Sequence, residues 1–376
     1  MQHRDVLYVA VGQLGGMALG AIFWILMATI LLPGEYGKVN FLISIATFAS
    51  FGTSLGLGRT IAAYYPKEGE EELISGSVIL VIIASMIAAG ISAVFGQILV
   101  GLLIIGLSFF TTAYWIELGR RVYKKYMWLW IGVKLVCVPL ALLMYFQIGL
   151  SGVLLGYALP HVAIALWSFR DLHFSANPGL KEVRKKASFA RQSLGTDLAM
   201  GSSIWSDKIV VGVLFSFSML GIYQFAYQIY MLMSFLPVAL ASYLLPEKSA
   251  KINTRKVELW GVGISLLFAL IAAVFAPLII PWLFPKYAGS VPLIQIMGFA
   301  VIPATVAAVK MSGFFASDRP RPVLVSYLLA VLVGIAGIVL LGGYFGAIGL
   351  AMSAVLLQLT LAAFLLFTPS AKHSKR

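Results

Sequence analysis

Negative charge is scarce in this sequence, and charge of either sign is thin. Asp and Glu number 14 against 27 Lys and Arg, and charged residues make up 11% of 376 positions, where a soluble domain averages about 25%. With 61% hydrophobic residues, the chain has too little polar surface for a soluble globule and reads as an integral membrane protein. Cysteine occurs once, as Cys137 inside an apolar run, which excludes a disulfide framework and a thiolate metal site. Of four histidines, His3, His173 and His373 fall in polar segments. His161 lies in an apolar run with no second His, Cys or carboxylate near it in sequence to complete a metal site. The acidic run "EGEEE" (68–72) sits on a short turn and reads as a solvated helix cap. No P-loop is present to bind a nucleotide phosphate. The longest polar stretch, 170–191, is too short for the catalytic loop of a membrane glycosyltransferase. The net charge of +13 has no soluble basic domain to carry it to nucleic acid. Neither an enzyme nor a cofactor or metal is therefore expected.

What the chain does have is apolar runs along its whole length, each near the roughly 20 residues a helix needs to cross about 30 Å of hydrocarbon. Alternation of the β-barrel kind is absent, so the spans are helical. Twelve are predicted, at 7–32, 39–62, 73–95, 97–117, 127–146, 149–169, 190–216, 219–245, 259–284, 289–315, 322–342 and 346–368. The run after Arg4 is too long for a cleavable signal peptide. With the N-terminus inside, nearly all Lys and Arg fall on inner segments, as cytoplasmic loops require. The outer turns hold only Lys38 and Lys286, while Lys134, Lys208 and Lys310 lie within spans. Both termini are then cytoplasmic. Trp128, Trp130, Trp260 and Trp282 near span ends read as interface anchors, and Pro237, Pro277, Pro303 and Pro322 as kinks.

The basic segment around 170–191, with its Pro178–Gly179 turn signal, divides the chain. The expected organisation is an N-terminal six-helix lobe (1–169), a cytoplasmic linker (170–190) and a C-terminal six-helix lobe (191–376). The lobes share faint repeats: "LLPGEY" (31–36) matches "SMLGIY" (218–223), "GLSG" (149–152) matches "GAIG" (346–349), and "YPKE" (65–68) matches "LPEK" (245–248). An even number of spans per lobe gives parallel repeats related by an axis along the membrane normal.

In chain order, "LLPGEYGKVNFLISIATFASFGTSLGLGRTIAAYYP" (31–66) and "SDKIVVGVLFSFSMLGIYQFAYQIYMLMSFLPVALASYLLPEKS" (206–249) resemble the polysaccharide-export branch of the multidrug/oligosaccharidyl-lipid/polysaccharide (MOP) flippase superfamily, which includes O-antigen-type flippases. The resemblance rests on Gly56 and Gly58 beside Arg59, on Asp207 before an aliphatic run, and on Gly221 with Tyr223. It implies a MATE-like all-α fold in the plasma membrane and a lipid-linked saccharide as substrate. It also implies H+ or Na+ as candidate coupling ions, and glycan polymerases or glycosyltransferases as candidate partners beside membrane lipid.

Charges at bilayer depth are costly, about 2.5–3.5 kcal/mol each on insertion scales, and face a cavity or a partner. On span 7, Asp197 and Lys208 fall on one face about 16 Å apart, with Asp207 about 80° away. One reading gives Asp207 and Asp197 a part in ion or proton coupling and Lys208 a part in switching. The other is a permanent ion pair, with Lys134 or Lys310 as partner, that only fixes packing. For a lipid-linked saccharide, Arg59 is the expected ligand of the phosphate, because a guanidinium matches phosphate oxygens as a fork. Lys134 and Lys310 are further headgroup candidates, each of which also reads as a lysine snorkelling to the helix end. Tyr223, Tyr227 and Tyr230 share one face of span 8, suited to sugar rings or to helix packing. The expected function is a secondary transporter that flips a lipid-linked saccharide by alternating access. The alternatives are a cation-coupled multidrug or metabolite exporter of the MATE type and a non-transporting scaffold for a glycan assembly complex.

Overall fold

Inside a bilayer each segment must satisfy its own backbone amides, which leaves helices as the economical choice for runs this apolar. The computed structural model describes residues 2–172, 179–250, 252–317 and 319–369, and these contain helices and no strand. His173, Lys251, His373, the other cations of the C-terminal tail and the first residue of the Pro178–Gly179 turn lie outside the described residues.

The chain packs as two compact units, 1–27 with 39–201 and 28–38 with 202–376. The first unit contains most of α1 (Gln2–Ile30) and α2 (Pro33–Thr53), then α3 (Leu57–Glu68), α4 (Glu71–Val94), α5 (Ile98–Gly119), α6 (Tyr123–Ile148), α7 (Leu150–Phe169), the short α8 (Leu180–Lys185) and the first half of α9 (Ala187–Leu214). The second takes the rest of α9, then α10 (Phe217–Met233), α11 (Phe235–Ser249), α12 (Arg255–Leu283), a 3-10 turn, α13 (Val291–Gly298), α14 (Val301–Ala316), α15 (Pro320–Phe345) and α16 (Ala347–Phe367). This division differs from one made at the basic segment. The first half of α9 belongs with the first unit, and α8, inside the expected linker, packs on α4. The 28–38 turn, by contrast, belongs with the second unit.

Among the described residues, 10 helices are long and apolar enough to cross a membrane, or up to 11 if the bent pair α2–α3 is one span. Twelve were expected. The remaining one is α9, whose 28 residues are long enough but carry Arg191, Asp197, Asp207 and Lys208. Spans 2, 8 and 10 are each broken. The first bends by 44° where Leu55 and Gly56 both turn left-handed. The others stop just before Pro237 and Pro303, which sit in the first turns of α11 and α14, where a missing N–H leaves no helix bond unmade. Pro322 likewise opens α15, so of the four expected kinks only Pro277 lies well inside a helix. Trp260 and Trp282 are 73% and 80% exposed at the two ends of α12, about 33 Å apart by helix rise. That matches the hydrocarbon thickness and suits interface anchors. Trp130 is not exposed in this way: its ring packs on Phe110 and Tyr114, 5.8 and 5.3 Å between centroids.

The faint repeats have structural counterparts. Gly149 and Gly346 open α7 and α16 with nearly the same backbone, φ/ψ 64/−141 and 58/−135, a conformation that disfavours a side chain. Within the second unit, "LLPGEY" and "SMLGIY" pack on each other. A Cβ on Gly221 would collide with the Pro33 carbonyl, and one on Gly37 with the Phe217 carbonyl. Gly221→Ala is expected to destabilise the protein by about 1–3 kcal/mol through overpacking. Thermal unfolding of the purified variant in detergent should start at lower temperature than the wild type; an unchanged curve would mean the turns are not in close contact.

Candidate functional site

Two pairs of charges within the predicted spans come together, one in each unit. In the second unit, Lys208 is 1% and Asp207 8% exposed. The Lys208 ammonium lies 3.0 Å from both Asp207 carboxylate oxygens and donates to the Ile204 carbonyl at 2.6 Å. Asp207 is therefore paired with its own neighbour, and not with Lys134 or Lys310, the partners that the packing reading named. The lysine stem is long enough to curl back one turn, which brings the ammonium over the carboxylate despite the 100° between successive residues. From α10, the Tyr223 hydroxyl donates to Asp207 Oδ2 at 2.7 Å, and the Tyr227 ring lies under the Lys208 ammonium at 3.6 Å. The tyrosine stripe thus faces the ion pair, with Tyr227 and Tyr230 5.6 Å apart. Beside them is a cavity of about 20 Å³ lined by Ser203, Ser206, Asp207, Tyr223, Tyr227 and Gln358, among others. That is room for about one water, with enough polar partners to hold it.

In the first unit, Arg59 on α3 donates from Nε to Asp197 Oδ1 on α9 at 2.6 Å, and its guanidinium lies 5.3 Å from the Trp115 ring centroid. Gly58 makes this possible, because a Cβ there would strike the Trp115 indole. The two side chains differ in exposure, 35% for Arg59 and 15% for Asp197; Arg59 Nη2 also donates to the Met200 sulfur at 3.8 Å, so the arginine is the more accessible partner of the pair.

The lysines predicted as headgroup ligands have other surroundings. Lys134 on α6 donates to the Tyr157 hydroxyl at 3.1 Å and lies 4.6 Å over that ring. Lys310 is exposed on α14, six residues before its end, and lines a cleft with Lys248. His161 is buried, and its Nδ1 donates to the Tyr157 carbonyl at 2.6 Å. Cys137, 24 residues away in sequence, comes within 3.9 Å of it. Among the described residues no three His, Cys, Asp or Glu are placed to hold a metal.

One charged cluster escaped the sequence reading. Glu117, fully buried at the end of α5, takes Lys125 at 2.7 Å and the Ser168 hydroxyl at 2.6 Å. Lys125 also reaches the Ser168 carbonyl and Asp171. The hydrogen bond from Lys125 holds the exposed Asp171 carboxyl below its ordinary range. Lys125 had the look of a topology signal in a basic segment. The signal for its second role was a lone acid, Glu117, just before that segment.

The fold defines the class: a multi-pass helical membrane protein, whose architecture is shared by solved flippases and transporters. The chain is similar to the solved structure of the Lipid II flippase MurJ in an inward closed conformation, with TM-score 0.76 and 13% identity over 96% of this chain and 87% of that one. It is also similar to an inward-facing multidrug resistance MATE family transporter of the MOP superfamily, with TM-score 0.68 and 13% identity over 96% of each chain. A eukaryotic MATE transporter matches at TM-score 0.57 and 15% identity over 98% and 96%. Identities this low establish the fold alone. No curated protein matches the sequence. The family described as polysaccharide biosynthesis protein matches residues 3–250, well over half of the chain, and the chain belongs to that family.

Proposed function

We propose that the protein is a secondary transporter that moves a lipid-linked saccharide precursor from the cytoplasmic to the outer leaflet by alternating access. The observation that carries this reading is Arg59. In a polysaccharide-biosynthesis protein, a guanidinium within a predicted span is held at Nε by Asp197, meets among the described residues no other acceptor than the weak Met200 sulfur, and stays about a third exposed. A phosphate or pyrophosphate offers two oxygens to that guanidinium, while the lipid tail stays in hydrocarbon. Tyr223 and Tyr227 are less suited to sugar rings than the stripe alone suggested, because they are occupied by Asp207 and Lys208. Their ion pair is the better candidate for coupling. Protonating Asp207 would release Lys208 and Tyr223 together, giving the second unit two electrostatic states that an H+ gradient can bias. Na+ would have to displace the ammonium that already neutralises the carboxylate.

The reading is tested by reconstituting the purified protein in liposomes that carry a fluorescent lipid-linked oligosaccharide. Sugar on the inner leaflet should become accessible to an external glycosidase many times faster than in protein-free vesicles. A rate equal to that of empty vesicles, with folded protein and several glycans tried, would overturn it. Drug-dependent proton release in the same vesicles would favour the exporter reading, to which the MATE likeness lends its fold.

A further inference from the structure

At the end of the second unit where α11, α14 and α16 stop and α12 and α15 start, two clefts open. The first, about 560 Å³, has Lys248 and Lys310 among its lining and Phe314 and Phe367 in its wall. The second, about 480 Å³, has Arg319 and Arg321 against an apolar wall. Thr368 lines both. Arg319 joins them: it donates to the Pro369 carbonyl at 2.9 Å and lies 5.6 Å from the Phe314 ring centroid, and both of those residues line the first cleft.

The described lining residues include four cations and no carboxylate. Among the described residues, Glu258 is held by Lys248 at 2.9 Å and Thr254 at 2.7 Å. Lys248 is further fixed by the Val309 carbonyl. With Lys248 paired to Glu258, the positive charge that calls for an anion lies on Lys310, Arg319 and Arg321. The walls say more about its kind: Phe367 is 87%, Ile252 54% and Leu366 49% exposed, so the cations open directly onto apolar surface at a span end. A free phosphate would use the cations and leave that surface bare, whereas a phospholipid uses both.

We propose that these clefts form a docking site for an anionic glycerophospholipid of the adjoining leaflet. Its phosphodiester is held by Lys310 and Arg319, and its acyl chains run along Ile252, Leu366 and Phe367, the exposed apolar side chains of the wall. The site is separate from Arg59 and from the Asp207 cluster in its residues, and it stands whether or not the chain moves a saccharide.

The test reads binding directly. The purified full chain is titrated with phosphatidylglycerol or phosphatidylcholine, and retained lipid is counted by native mass spectrometry. Wild type should retain phosphatidylglycerol in preference to phosphatidylcholine. At about fivefold per cation, Lys310→Gln with Arg319→Gln should weaken phosphatidylglycerol about thirtyfold and leave phosphatidylcholine unchanged, while Lys310→Arg with Arg319→Lys should retain it. If the double glutamine variant does not elute as a folded species, Lys310→Gln alone, at an exposed position, should give the fivefold loss. Equal retention of the two lipids by wild type, a double variant within twofold of wild type, or complete displacement by millimolar inorganic phosphate would each overturn the proposal.

Discussion

An Asp207→Asn protein is expected to be both less stable and slow to transport, and the two losses should separate on a second substitution. Removing the carboxylate leaves the Lys208 ammonium at 1% exposure with the Ile204 carbonyl and the Tyr227 and Trp205 rings beside it. Breaking a buried ion pair from one side costs about 3–5 kcal/mol, because a charge stays behind without its partner. The Tyr223 hydroxyl also loses its charged acceptor. Thermal unfolding in detergent should begin at markedly lower temperature. Adding Lys208→Met removes the stranded charge, and since contacting residues are not additive, the double variant should recover most of the stability. It should not recover transport if the proton on Asp207 sets the switch. A step slowed by even 1.4 kcal/mol is about tenfold slower, within reach of a vesicle assay. A double variant that is stable and flips substrate at the wild-type rate would reduce the pair to a packing device.

The pair also shows how far the sequence could be read. Two adjacent charges in "GSSIWSDKIVVGVLF" mark a site by their cost in lipid alone, so their position was legible. Their partnership was not. A helical wheel sends neighbours 100° apart, and only the rotamer of a flexible stem decides whether an ammonium returns to the residue beside it. Tyr223 was legible as part of a stripe, but its acceptor sits on another helix. The Arg59–Asp197 contact, 138 residues apart in sequence, has no local signature at all. Glycines fared better, because a turn that forbids a side chain leaves its mark in residue type. Gly149 and Gly346, matched as weak repeats, adopt the same backbone, and the segments around Gly37 and Gly221 turn out to pack on each other. Proline misled for a physical reason. The same missing N–H that kinks a helix interior also suits a helix start, and Pro237 and Pro303 are starts. The span expected at 190–216 is a helix, α9 (Ala187–Leu214), although it carries charge along its length.

Replacing Arg59 should have the largest effect on substrate capture. Its Nε is taken by Asp197 at 2.6 Å, and its plane lies against Trp115. The guanidinium is therefore oriented before any anion arrives, and little side-chain entropy is left to lose on binding. Charge-assisted hydrogen bonds contribute about 1.5–3 kcal/mol, so Arg59→Ala should lower the initial flipping rate at subsaturating substrate by about ten- to a hundredfold. Arg59→Lys keeps the charge but not the planar fork, and should fall between the two. Asp197 then has two readable roles. If it competes with the phosphate for the guanidinium, Asp197→Asn should lower the half-saturating substrate concentration; if it only orients Arg59, the same change should raise it. Arg59→Ala strands a largely covered carboxylate, so the rate must also be measured in Arg59→Ala with Asp197→Asn, where no charge is left unpaired. Persistent loss of flipping in that neutral double variant, with normal thermal unfolding, assigns the defect to capture. A wild-type rate in it would remove Arg59 from the transport path and leave the ion pair as a tie between α3 and α9.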